Sequence, residues 1–541
     1  MRATLIVTFA ALLAACGGGG GSSPDGGLSP PAPQPPPPPP PAATAGLART
    51  ACGDYQGTDR GSTWSYLGIR FAAAPTGARR WRSPEPPTCP TAIVAANAYA
   101  AKCPQLDRTT GAPEGDEDCL AVNVFTPKTS LAAGRVPVMV FIHGGGNAIG
   151  SAREEVEPGR VLYDGASLAE TTGNVVVIVQ YRLGPLGWLV HPALDAEALD
   201  ARSGNYGLED LVAALQWVQR DIGAFGGNKD RVMIFGESAG GVNVCALLAT
   251  PSAAGLFDAA LIQSGGCVAD SRTKALASGA TLAENAGCST AADIGACLRS
   301  KSPAALLAAL PPTVSVSGGS APFQPSVDGT FLPATPIERI RAGQHNRVPV
   351  VIGANADETG QDVPLTFSDA QYQAFLAATF QTPAVLTAVA DLYSAANFGS
   401  SRKAYVALTS DLKFICPSRT TARALVAAQS EPVFRYFFTE VPDSPSSAVY
   451  GAFHGLELLF VYGAVDVRGY APTAAERALS LAMQRYWGSF AATGAPAATG
   501  SAAWTQFDPA RDSHLLLDSA APGMAEGVNT ARCDFWAQLG L

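Results

Sequence analysis

Charge is scarce in this chain. Only 15% of its 541 residues are Asp, Glu, Lys or Arg, and the net charge of −9 comes without any extended basic run. That excludes the electrostatic footprint of a nucleic-acid-binding protein and disfavours polyanionic substrates. Histidine is scarcer still, five in all, so imidazole chemistry has few places to reside. Neither a zinc-ligand spacing nor a phosphate-binding P-loop is present, and no metal or cofactor is expected. No repeat is evident, and no linker-like break follows residue 46. Length alone would allow three or four domains, but residues 47–541 read as one domain with insertions. What is plentiful is apolar surface: 47% of the residues are hydrophobic, enough for a sizeable core.

The N-terminus reads as an export signal, residues 1–15. One Arg precedes an apolar stretch ending in Leu13-Ala14-Ala15, too short to span a bilayer permanently. Leu13-Ala14-Ala15-Cys16 resembles the lipobox of bacterial lipoproteins, which implies cleavage before Cys16 and a diacylglyceryl group on its sulfur. Two acyl chains would anchor the protein stably where one would not. Residues 16–46, with the proline run Pro35 to Pro41, read as a tether whose roughly thirty residues could reach about 90 Å. The expected setting is an exported one: a bacterial outer-membrane lipoprotein, periplasmic or cell-surface facing, or a secreted protein. The membrane partner would be reached through lipid at Cys16, not through a transmembrane helix.

Beyond the tether, short β-branched runs alternate with longer helical stretches, which predicts an α/β fold. Val136-Pro137-Val138-Met139-Val140-Phe141-Ile142 and Val175-Val176-Val177-Ile178-Val179 are nearly unbroken apolar runs, as in strands covered on both faces. Leu211, Leu215 and Val218 recur at helical spacing within Leu208–Arg220. Residues 367–426 are mostly helical in pattern, Ala474–Ala492 forms another long amphipathic stretch, and both are expected in a cap.

The chemistry gathers around Gly236-Glu237-Ser238-Ala239-Gly240, which follows the strand Arg231-Val232-Met233-Ile234-Phe235. Gly-x-Ser-x-Gly between strand and helix is the pattern of a nucleophile elbow, whose tight backbone leaves no room for larger flanking side chains. Serine needs a base to act as nucleophile. In such folds the order is nucleophile, acid, histidine, which disfavours His143, His191 and His345 and leaves His454 and His514. His454, within Gly451-Ala452-Phe453-His454-Gly455, is the better candidate because small neighbours let a loop present the ring. The acid should follow a strand between the two. Val348–Ile352 leads into Gly353-Ala354-Asn355-Ala356-Asp357-Glu358, and spacing does not choose between Asp357 and Glu358. His143-Gly144-Gly145-Gly146, just after a buried strand, offers backbone amides for an oxyanion site.

Together with Glu117-Asp118-Cys119-Leu120-Ala121-Val122-Asn123-Val124, Asn205-Tyr206-Gly207-Leu208 and Gly451–Gly463, these segments make the chain after residue 50 resemble the type-B carboxylesterases, cholinesterases among them. The resemblance implies an α/β-hydrolase fold: a central, mostly parallel twisted sheet flanked by helices, with helical cap insertions. It implies hydrolysis of a small-molecule carboxylic ester through an acyl-enzyme, with Ser238, Glu358 and His454 as triad. Gly145, Gly146 and Ala239 would give the oxyanion amides. Glu237 and Glu457 resemble the family's buried acidic pair, and Ser264 its supporting serine. Disulfides Cys103–Cys119, Cys288–Cys297 and Cys416–Cys533 match family positions, and Cys52–Cys89 is a fourth pairing. Cys245 is expected to be a buried small hydrophobe, and Cys267 is unassigned.

Departures from the family bear on the substrate. Asn147 stands where many relatives have an aromatic, Ala121 and Val122 replace Tyr-Leu, and Thr359 separates Glu358 from a glycine, all of which point to a reshaped pocket. Residues 104–118 contain no Phe, Tyr or Trp, so the cation-π site that holds choline esters is not expected. Lipase or polyester hydrolase activity are other readings within enzymes. A non-catalytic binding or adhesion protein is the alternative outside them, disfavoured because all three triad positions are kept.

Overall fold

The computed structural model describes residues 45–133, 135–311 and 322–540. The export segment, Cys16 and all of the tether except Ala45 and Gly46 lie outside the described residues.

Eleven strands form one sheet: β1 Thr58–Asp59, β2 Thr63–Arg70, β3 Ala121–Pro127, β4 Val136–Ile142, β5 Val175–Val179, β6 Gly227–Glu237, β7 Ala259–Gln263, β8 Val350–Asn355, β9 Val433–Phe438, β10 His514–Leu517 and β11 Gly523–Ala525. Their order is β11-β10-β9-β8-β7-β6-β4-β5-β3-β2-β1. The strands from β10 to β5 run parallel, and antiparallel strands close both edges.

The unbroken apolar runs are explained by two cores. Successive strand side chains point to opposite faces, so Val138, Val140 and Ile142 enter one core while Met139 and Phe141 enter the other. The first core is covered by the helices Tyr206–Asp221 and Ala239–Ala249, with Leu211, Leu215 and Val218 turned inward. The second is covered by Ala166–Thr172 and Ala474–Thr493. The last helix corrects the expectation that it belongs to the cap: Met483, Trp487 and Phe490 pack with Phe141 and Phe235 under the sheet. An amphipathic stripe has the same spacing whichever surface it covers, so periodicity could not separate the two.

The cap is built from the helices Asp369–Thr379, Pro383–Leu392 and Ser401–Ser410, with their own cluster around Tyr372, Leu376, Val389, Tyr393 and Trp536. It is tied to the turn after β8 by Thr359 Oγ1, 2.7 Å from Thr409 Oγ1, and by Arg402, which donates to Gly360 O at 2.6 Å.

Among the described residues five disulfides form: Cys52–Cys89, Cys103–Cys119, Cys245–Cys267, Cys288–Cys297 and Cys416–Cys533. The third is a correction. Cys245 is buried as expected, but it is bridged to Cys267 and not free. Its helix follows Ser238 and Cys267 lies just past β7, so the bridge straps that helix to the neighbouring strand end. Such a disulfide count marks a chain that folds in an oxidising, extracytoplasmic compartment. Among the described residues, no helix is long and apolar enough to cross a membrane.

Candidate active site

The site lies beyond the carboxyl ends of adjacent parallel strands, where open α/β sheets gather their functional loops. β4 ends in the glycine turn 143–146, β6 in Ser238, β7 in Ser264, and β8 in the turn bearing Asp357 and Glu358.

Ser238 sits at the start of the helix Ala239–Ala249 with φ 58° and ψ −124°, a backbone region that non-glycine residues rarely occupy. Its neighbours must be small. A Cβ on Gly240 would lie 2.0 Å from Ile142 O, and one on Gly236 would lie 2.6 Å from the Gly240 carbonyl carbon. The strained turn is held by the Ser238 N–H donating to Gln263 O at 2.9 Å.

His454 Nδ1 lies 2.6 Å from Glu358 Oε2, and the other Glu358 oxygen accepts from the Asn355 N–H at 2.8 Å. Glu358 is fully buried. Asp357 does something else: its Oδ2 accepts from the Ala452 N–H at 3.1 Å, fixing the loop that carries His454. Of the two carboxylates between which spacing does not choose, Glu358 contacts the ring and Asp357 contacts the loop that carries it. Phe414 packs against the His454 ring at 4.9 Å between centroids.

His454 Nε2 is buried and has no hydrogen-bond partner among the described residues. It approaches Glu237 Oε1 at 3.2 Å, a close electrostatic contact without hydrogen-bond alignment. Gly144 lies against the same carboxylate and against Ser238: a Cβ there would be 2.7 Å from Glu237 Oε2 and 2.9 Å from Ser238 Cβ. The glycine turn, the serine and the imidazole thus converge around Glu237.

Glu457 is also fully buried and accepts from Gln263 Nε2 at 3.0 Å and Asn355 Nδ2 at 2.6 Å. Trp487 Nε1 in turn donates to Gln263 Oε1 at 3.1 Å. Gln263, Asn355 and Trp487 are not singled out by the sequence reading, although Gln263 precedes Ser264 and Asn355 lies in the segment that bears Asp357 and Glu358. Only their position beside candidate residues could have flagged them. Ser264, with φ 48°, donates its N–H to Gly353 O at 2.9 Å, but its hydroxyl has no partner among the described residues.

In this buried cluster the carboxyl groups of Glu237 and Glu457 and the imidazole of His454 are perturbed by burial and by neighbouring charge. Burial raises the pKa of Glu237, with His454 drawing it back down. Burial, then the negative charges of Glu237 and Glu358, raises Glu457. For His454, burial disfavours the charge, but the carboxylates of Glu237 and Glu358 outweigh it and the pKa rises. The Glu237 carboxylate thus acts on two neighbours, raising the pKa of Glu457 and that of His454. His143 is the opposite case. Burial lowers it to about 4, leaving a neutral ring stacked on Tyr181. His514 lies in β10, its Nδ1 near Asp512 O.

The departures expected to reshape the pocket are all buried. Asn147, Ala121, Val122 and Thr359 are each at most 1% exposed. Ala121 and Val122 lie within β3, and Val122 packs in the first core. Asn147 and Thr359 are hydrogen-bonded within the interior, and none of the four lines an accessible surface.

A mostly parallel sheet with a strained serine turn at its carboxyl edge defines an α/β-hydrolase. The sequence profile of the carboxylesterase family matches residues 45–536. Among similar proteins are the para-nitrobenzyl esterase of Bacillus subtilis (strain 168), 35% identical over 87% of this chain and 95% of its own length, and a cocaine esterase of Homo sapiens, 32% identical over 87% and 86%. A fumonisin B1 esterase of Sphingopyxis macrogoltabida is 32% identical over 90% and 88%. The solved structure of a thermophilic PNB esterase superposes with a TM-score of 0.78 at 32% identity, covering 91% of this chain and 99% of that one. The chain belongs to the carboxylesterase family and is a carboxylic ester hydrolase.

Proposed function

We propose that this enzyme hydrolyses small neutral carboxylic esters in two steps with Ser238 as nucleophile, His454 as base and Glu358 as its orienting acid. The observation that carries the reading is the 2.6 Å contact between Glu358 and His454 Nδ1: with Nδ1 donating to that carboxylate, Nε2 is the ring nitrogen left to act as base. Ser238 Oγ attacks the ester carbonyl as its proton passes to Nε2. The resulting imidazolium is stabilised by Glu358, and the negative oxygen is held by the amides of Gly145, Gly146 and Ala239. His454 returns the proton to the leaving alcohol, then activates water against the acyl-enzyme. Glu237 and Glu457 set the electrostatics of that imidazolium, and Ser264 supports the neighbouring end of β7. Relatives named for para-nitrobenzyl, cocaine and fumonisin B1 esters support a small-molecule substrate. The missing aromatic in residues 104–118 argues against choline esters.

Residues 1–15 direct export, Cys16 carries lipid, residues 16–46 tether the enzyme, and 47–541 form the catalytic domain, as a bacterial outer-membrane lipoprotein. The supporting features are the Leu-Ala-Ala-Cys segment, the Gly/Ser/Pro composition after it, and the disulfides. Ser238→Ala should abolish hydrolysis of p-nitrophenyl butyrate, and parental rates in that variant would refute the mechanism. Cys16→Ala should lose fatty-acid labelling in vivo, and undiminished labelling would refute the anchor.

A further inference from the structure

An oxyanion site assembled from Gly145, Gly146 and Ala239 draws on two separate segments. The glycines belong to the turn after β4, whereas Ala239 opens the helix after Ser238. No short stretch of chain sets the distance between them. Two fully buried asparagines bridge that gap. Asn147 follows Gly146 directly, with φ 55°, and its Oδ1 accepts from Asn243 Nδ2 at 2.9 Å. Asn243 stands four residues beyond Ala239 on the same helix, hence on the same face. The other end of the turn is held as well, since the Tyr181 hydroxyl donates to His143 O at 2.9 Å and lies 3.3 Å from Asn147 Oδ1.

We infer that Asn147 and Asn243 are positioning residues that set the register of the glycine turn against the helix of the nucleophile. The inference rests on Ser238 being that nucleophile. Neither asparagine reaches solvent, so neither can touch substrate. Their effect runs through the amides they align. Oxyanion stabilisation depends on donors preorganised within a fraction of an ångström of the developing charge. A buried carboxamide pair supplies a directional link that an apolar contact lacks, and leaving either member unpaired is costly.

The test uses the full chain with Asn147→Ala, Asn243→Ala, the double variant, and the milder Asn243→Ser, whose hydroxyl can bond the helix backbone if alanine does not fold. Active sites are counted by fluorophosphonate labelling of Ser238, so misfolded protein does not enter kcat. An aryl trifluoromethyl ketone reports the oxyanion site directly, because its adduct on Ser238 places a negative oxygen there. Each single variant should lower kcat on p-nitrophenyl butyrate by about ten- to a hundredfold with KM within about threefold, and weaken the ketone by a similar factor. The double variant should lose little beyond the worse single. Normalised kcat and ketone affinity within about twofold of the parent, or a rise in KM alone, would overturn the assignment. A parent whose Ser238 takes no label would overturn the nucleophile itself, so the two failures are distinct.

Discussion

Replacing Glu358 by glutamine keeps the volume of the side chain but inverts one of its hydrogen bonds. The carboxylate accepts twice, from His454 Nδ1 at 2.6 Å and from the Asn355 N–H at 2.8 Å. Glutamine has one accepting oxygen for these two donors. If its amide nitrogen faces the ring, the imidazole must accept at Nδ1 and carry its proton on Nε2, where it can no longer take one from Ser238. If the nitrogen faces Asn355, two donors oppose each other in a buried site. Loss of the correct tautomer in such a triad lowers kcat about 10⁴-fold, equivalent to about 5 kcal/mol of barrier. Asp357→Asn is the matched control. Its contact is the Ala452 N–H, which an amide oxygen still accepts, so the loss should stay near about 1 kcal/mol, or roughly fivefold in kcat. The assay is kcat/KM on p-nitrophenyl butyrate, normalised to the folded fraction from circular dichroism. Equal losses in the two variants, or a greater loss for Asp357→Asn, would refute the division of labour between these carboxylates.

Glu237→Gln removes the strongest charge that raises the His454 pKa, so the acidic limb of the kcat/KM profile should move to lower pH; an unmoved or raised limb would contradict that role of Glu237. Gly240→Ala would press a Cβ to 2.0 Å from a β4 carbonyl, and purified variant should show no hydrolysis and a lowered melting temperature, parental values in both disproving the tight elbow. By chain entropy, removing Cys245–Cys267, which spans 22 residues, should cost about 3 kcal/mol, against about 5 for Cys416–Cys533, which spans 117. Denaturant titration of each double-alanine variant tests that order. Acetylthiocholine should be hydrolysed no faster than a neutral thioacetate of equal size, and a strong preference for the cation would show that an aromatic from elsewhere replaces the missing one.

Much of this was written locally. β4 and β5 were legible because strands covered on both faces must be apolar throughout, and the serine turn because its geometry admits only glycine at Gly236 and Gly240. What stayed hidden depends on distant partners. The helix Ala474–Thr493 has the same stripe whether it covers a cap or a sheet. Cys245 and Cys267 pair because the Ser238 helix lies beside the end of β7, which no spacing encodes. Asp357 and Glu358 are adjacent in sequence, and only the path of the His454 loop separates a carboxylate that holds the ring from one that holds the backbone. Asn147 read as an altered pocket wall, whereas its side chain turns inward to Asn243.

The most direct measurement is mass spectrometry of enzyme quenched during turnover of p-nitrophenyl butyrate. One butyryl group should be found per chain, on the peptide containing Ser238, with a matching burst of p-nitrophenol and no adduct in Ser238→Ala. A butyryl group on any other residue, or turnover undiminished in that variant, would contradict the account.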